Sequence, residues 1–246
     1  QVIGAGGVAG GNVEMVLRDS QVDPKIGVDA AKALVDLDGV QVLLGAVSSG
    51  VSMPILTSVT VPGNVLQMSC CSSSTAFTKL AEEGKTKQLF FRTFATTGVQ
   101  AAVGAKVAKD QGYKSVAILY KNDDWGQDLQ NLISKDFKAL GITVTSATAI
   151  NDGQPSYRAE VTSALSGNPD ALYLGLYPNE GSAAVREWLS LGGTQNMIMA
   201  NSLKSDEFRD NVGLQYLGKT FGTDTASPRV ASADSFVTAY EAKFGS

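Results

Sequence analysis

With 246 residues, 43% of them hydrophobic and 18% charged, the chain has enough apolar material for one large core or two smaller ones, and no polar tract of the kind that stays disordered. A formal net charge of -4 without any basic stripe excludes a nucleic-acid backbone binder, which is built from clustered Lys and Arg. The absence of His removes the commonest general base and zinc ligand, so no catalytic residue, metal or cofactor is expected.

The longest apolar runs, 40–47 and 115–120, fall far short of the about 20 residues that span a bilayer, so no membrane insertion is expected. The opening QVIGAGGVAGG lacks the basic start, apolar stretch and cleavage site of a secretory signal, and the targeting segment is expected to be absent or already removed. Cys70 and Cys71, the two cysteines, are adjacent and form neither a long-range staple nor a four-ligand metal site. Packed thiols are expected there rather than a vicinal disulfide.

In chain order, 12–17 alternates as a strand. Asp23 then supplies a cap and Pro24 a first helical position, and Ile26, Ala30, Ala33, Leu34 and Leu37 recur on one helical face. The run 40–46 is nearly continuous in apolar residues, as for a strand covered on both sides, and Gly45 ends it beside a serine cluster. A helix follows from about Ser49 with Pro54 early in it, then a strand over 65–69, a serine-rich turn and a short extended piece over 90–94.

A Gly- and Ala-rich helix runs to Lys109, and the strand 115–120 restarts the cycle. Trp125, Leu129, Leu132, Ile133, Phe137 and Leu140 share a helical face. Strands over 142–147, 171–176 and 197–200 alternate with helices over 156–165 and 180–191, and Gly141 and Gly192 are suited to end helices. A last helix over 233–244 places Phe236, Val237 and Tyr240 on one side. The alternation of β-branched runs with amphipathic stretches predicts an α/β fold of parallel sheets flanked by helices.

Gly4-Ala5-Gly6-Gly7-Val8-Ala9 matches a loose dinucleotide fingerprint, but a strand rather than a helix is predicted after it, so the match fails its context. No nucleophile elbow or phosphate loop is present. Two hydroxyl clusters, 48–50 and 69–75, stand where strands end and helices begin. Each reads either as ordinary capping or as an anion site built from backbone N–H groups and hydroxyls, and two from neighbouring parallel strands converge where α/β folds bind ligands. Trp125 reads either as an aromatic that opens a helix or as a lid over an apolar ligand part. Tyr177 stands at an equivalent strand end with a hydroxyl to offer. Asp123 and Asp124 read as caps of the Trp125 helix.

The segments AGGVAGGNVEMVLRDSQVDP, VQVLLGAVSSG, LQMSCCSSST, LFFRTFAT, SVAILYKNDDWGQDL and ALYLGLYPNEG, in this order and spacing, resemble the Leu/Ile/Val-binding family of type I periplasmic binding proteins. The resemblance implies two Rossmann-like lobes with a ligand cleft between them: 1–93 as lobe 1, 94–222 as lobe 2, and 223–246 as a segment returning to lobe 1. It implies a monomeric periplasmic or extracytoplasmic protein that carries a small amino acid, amide or carboxylate to an ABC transporter permease. A ligand-sensing domain of a receptor or regulator is the alternative. On the family pattern Ser49 binds the ligand carboxylate, Ser73 contacts carboxylate and amine, Cys71 offers a carbonyl to the ammonium, Ser72 lies among these contacts, and Trp125 and Tyr177 close the site. The family often carries an acid after the 197–200 strand. Asn201 and Ser202 stand there instead, which leaves room for an amide or another carboxylate.

Overall fold

The computed structural model describes residues 10–226 and 231–245, and two parallel sheets carry the fold. Gly4 to Ala9 and residues 227–230 lie outside the described residues.

The smaller sheet holds β1 (Val42–Leu44), β2 (Leu66–Ser69) and β3 (Phe90–Arg92) in that order. Its helices are α1 (Pro24–Lys32), α2 (Ser49–Ile55) and α3 (Ala76–Glu82). Asp23 caps α1 by accepting from the Ile26 N–H at 2.8 Å, with Pro24 in the first turn, where a missing N–H costs nothing. Leu43 packs with Ala31, Val51, Ile55, Val59 and Val65 to form the core of this lobe.

Pro54 stands near the end of α2 rather than early in it, because the helix stops at Ile55 and continues as a π-helical turn, Leu56–Thr60. A proline there cannot donate to the carbonyl four residues back, and the wider turn absorbs the loss. The α3 helix, which the serine-rich turn concealed, follows that turn directly.

Two strand expectations change. Residues 12–17 form no ladder; Met15 and Leu17 are 59% and 77% exposed, and a groove of about 1,030 Å³ separates this segment from β1. Alternation supplies a face to bury, but a strand also needs a neighbour for its backbone. The 40–46 run is covered on one face only: Leu43 is buried, while Val42 and Leu44 are 53% and 62% exposed.

The larger sheet has the order β5-β4-β6-β7-β8, from β4 (Ser115–Lys121), β5 (Thr143–Ile150), β6 (Ala171–Gly175), β7 (Met197–Met199) and β8 (Thr220–Gly222). All its pairs are parallel. Side chains alternate between two cores, as a period of two requires. Leu119, Leu172, Leu174 and Met197 pack with α6 (Arg158–Leu165), α7 (Pro178–Ser190) and α8 (Asp206–Val212) around Trp188. Val116, Ile118, Tyr173 and Ile198 pack with α4 (Thr97–Asp110) and α5 (Asp124–Ala139) around Phe137.

Gly141 and Gly192 follow α5 and α7 at φ 76° and 83°, the left-handed backbone that glycine adopts freely. The last helix, α9 (Ala231–Phe244), exposes Phe236, Val237, Tyr240 and Phe244. Among the described residues no helix is long and apolar enough to cross a membrane.

Candidate functional site

In the five-stranded sheet the connections leave β4 toward β5 on one side and reach β6 on the other, so the strand order reverses between β4 and β6. Ligands in open α/β sheets bind at the carboxyl ends beside such a reversal. Those ends carry Lys121 as the last residue of β4 with Asn122 to Trp125 after it, and Leu176 and Tyr177 after β6.

The Trp125 and Tyr177 rings stack with centroids 5.2 Å apart and planes at 20°. Asp123 uses Oδ1 to accept from the Gly126 N–H at 2.8 Å, which caps α5, and turns Oδ2 toward the other lobe. Behind Tyr177, the buried Lys121 ammonium lies 5.3 Å from its ring centroid, pairs with Asp152 and stands 3.7 Å from Glu180. Glu180 in turn accepts from the Tyr177 N–H at 3.0 Å. Burial, and after it the charge of Asp123, pushes the Tyr177 phenol well above its ordinary pKa, so it stays protonated. Burial also raises the Asp123 carboxyl, against the lowering pull of the Gly126 N–H and of Lys121.

The facing wall comes from the turns after β1 and β2. No charged side chain occurs from Ala46 to Thr78, so donors there meet no competing carboxylate in sequence. Its hydroxyls divide into two sets. Ser52, Ser69 and Ser72 donate inward to the Ala46 carbonyl at 3.1, 2.6 and 3.2 Å, and Ser72 also reaches Ser52 Oγ at 2.8 Å. They stitch the two turns together. Ser49 and Ser73 instead accept: Ser49 Oγ from the Ser74 N–H at 3.2 Å, and Ser73 Oγ from the Thr97 hydroxyl at 3.3 Å. The Arg92 guanidinium fixes the second turn from below through the Ser72 and Ser74 carbonyls at 3.2 and 2.7 Å.

Ser49, Cys71, Ser72 and Ser73 therefore belong to one wall, with the hydroxyl of Ser72 engaged inside it. Cys71 donates its N–H to Ser69 Oγ at 3.2 Å. Cys70 and Cys71, expected as packed thiols, are joined in a vicinal disulfide; the turn brings neighbouring sulfurs within bonding reach, and the chain has no other cysteine to compete.

Trp125 and Tyr177 belong to the opposite wall. Asn201 and Ser202 follow the next strand end: Ser202 donates to the Leu176 carbonyl at 2.6 Å, beside Tyr177, and Asn201 Oδ1 accepts from Gln100 at 2.8 Å beside a cavity of about 230 Å³ lined by Phe94, Thr96, Val99 and Thr223.

Sequence reasoning missed Ser48, whose hydroxyl donates to Asp123 Oδ2 at 3.3 Å across the lobe boundary, and Asp128, which meets Thr75. The position of Ser48 inside a serine cluster was a signal. Nothing local marked Asp128.

A protein-family model described as "Periplasmic binding protein" matches residues 1–246. The chain is 32% identical over 231 residues to the Leu/Ile/Val-binding protein BraC3 of Rhizobium johnstonii, covering 94% of this chain and 60% of that protein. It thus spans about three-fifths of the length of that relative.

Among solved structures, a leucine binding protein LivK from Thermotoga maritima aligns with a TM-score of 0.84 at 24% identity, over 96% of this chain and 67% of that one. A solute binding protein of an ABC transporter from Rhodopseudomonas palustris BisB5, in complex with 3,4-dihydroxybenzoic acid, aligns with a TM-score of 0.77 at 20% identity, over 97% and 65%. These two establish a shared fold. With the family model spanning the whole sequence and the two-lobed α/β architecture described above, the chain belongs to the periplasmic binding protein family.

Proposed function

We propose that the protein is an extracytoplasmic solute-binding protein without catalytic activity, which captures a small amino acid or related carboxylate between two closing lobes and delivers it to the permease of an ABC importer. The observation that carries this reading is the division of hydroxyls on lobe 1. Ser49 and Ser73 accept from protein donors and keep their own protons to donate, whereas their neighbours donate inward. Two such donors on a wall without acidic groups suit a carboxylate. Closure against Tyr177 and Trp125 then excludes water and strengthens those bonds.

Lobe boundaries near Thr93 and Gly222, with the tail from Thr223 returning to lobe 1, fit this reading. Phe236, Val237 and Tyr240 of α9 are exposed, as are Val42, Leu44 and Phe91 on the uncovered face of the lobe 1 sheet, and each face could cover the other.

A thermal-shift panel tests the reading with leucine, isoleucine, valine, their amides, 4-hydroxybenzoate and 3,4-dihydroxybenzoate. A true ligand at a hundred times its Kd adds about 2.7 kcal/mol of stability. No stabilisation by any amino acid, amide or carboxylate would end the proposal. With the ligand so identified, Ser73→Ala is expected to weaken calorimetric affinity by about 1–3 kcal/mol, and an unchanged affinity removes Ser73 from the site.

A further inference from the structure

Two acids on one short stretch of lobe 2 reach across to lobe 1. Asp128, on the second turn of α5, accepts from the Thr75 N–H at 2.7 Å with Oδ2 and from the Thr75 hydroxyl at 2.6 Å with Oδ1. The Arg92 guanidinium lies close enough for its charge to interact with that of Asp128. Asp123 Oδ2 accepts from Ser48, and the same carboxylate packs on Gly50: a Cβ at Gly50 would lie 3.0 Å from Asp123 Cβ and 3.1 Å from its Oδ2.

Thr75 and Asp128 take no part in the proposed ligand contacts. We infer that Asp128 and Asp123, held against Thr75 and the Ser48–Gly50 turn, form an inter-lobe clasp that sets the balance between closed and open lobes and so scales affinity without touching the ligand. The physical reason is linkage: a ligand that binds the closed form has its apparent affinity reduced by the fraction of protein that is open. Both hydrogen bonds at Asp128 are charge-assisted and therefore stronger than neutral ones. Gly50 has a defined part, because a Cβ there would press on the docked carboxylate and push it back by a few tenths of an ångström.

The inference rests on the lobe-closure reading above, and its test is made without ligand so that the two can fail separately. Small-angle scattering of the whole chain gives the radius of gyration, and hydrogen exchange reads the Thr75 amide. At about 0.01 M salt the wild type should be compact. Asp128→Asn should lower the closed-to-open ratio by about tenfold, with a larger radius and faster exchange at Thr75. Raising the salt to about 1 M should expand the wild type toward the variant, while the variant stays as it is.

Gly50→Ala attacks the same contact from lobe 1 and favours its helix, so it tests the clasp even where Asp128→Asn folds poorly. Its radius should also exceed that of the wild type. Equal radii for wild type and Gly50→Ala, or Thr75 exchange unchanged in a folded Asp128→Asn, overturn the clasp and leave the ligand panel to decide capture on its own.

Discussion

Lys121→Ala is expected to lower the unfolding free energy by about 3–5 kcal/mol, the cost of breaking a buried pair by removing one partner. Lys121 ends β4 with its ammonium buried, paired with Asp152 and 3.7 Å from Glu180. The two acids differ. Asp152 is 61% exposed and water can solvate it, whereas Glu180 is 6% exposed and would remain as a buried charge without its cation. Glu180 also accepts from the Tyr177 N–H, so its rearrangement would disturb the start of α7 and the Tyr177 ring with it.

The double variant Lys121→Met, Glu180→Gln removes both charges and is expected to recover most of the loss, because an apolar substitute restores packing without stranding an ion. Denaturant titration of the three proteins checks this. A loss under about 1 kcal/mol for Lys121→Ala, the range of exposed pairs, would mean that Glu180 is solvated in the folded protein.

Gly126→Ala is expected to destabilise lobe 2 by about 3 kcal/mol or more, at the upper end of overpacking effects. A Cβ at this position would lie 2.0 Å from the Lys121 carbonyl oxygen, 2.8 Å from its carbonyl carbon and 2.9 Å from its nitrogen. All three are backbone atoms of β4, so no side chain can rotate away. The turn itself must open, and it carries both Asp123, whose carboxylate accepts the Gly126 N–H, and Trp125, stacked on Tyr177. The variant should therefore show a lower melting temperature together with an altered tryptophan emission from Trp125, while Trp188, deep in the other core, keeps its environment. A melting temperature within about 2 °C of wild type would show that β4 yields at little cost.

Much of the scaffold is legible in the amino-acid sequence. Asp23-Pro24 signals a helix start, Gly141 and Gly192 are suited to end helices and do, and the face of Trp125, Leu129, Ile133 and Phe137 matches the buried side of α5. These signals are local, written in caps, backbone conformations and periodicity. The failures were of another kind. Residues 12–17 alternate like a strand and pair with no strand among the described residues, and the 40–46 run is nearly continuous in apolar residues yet buries only the Leu43 side. Burial on a sheet depends on what lies against it, and no window of sequence contains that.

The site divides in the same way. Its two hydroxyl-rich turns and two aromatic strand ends stand out in the sequence because residue type and position relative to predicted strands are enough to nominate them. Which serine faces inward cannot be read there: Ser72 and Ser73 are chemically identical neighbours, and only the approach of the Ala46 carbonyl to one and of Thr97 to the other separates them. The inter-lobe contacts lie further still from sequence reach, since Thr75 and Asp128 are 53 residues apart. The sequence determined the elements and the kinds of chemistry available, through interactions among residues near one another along the chain. Tertiary structure decided which hydroxyls are committed, which acids cross the cleft and which sheet face stays bare, because those outcomes rest on distances between segments that only the folded chain brings together.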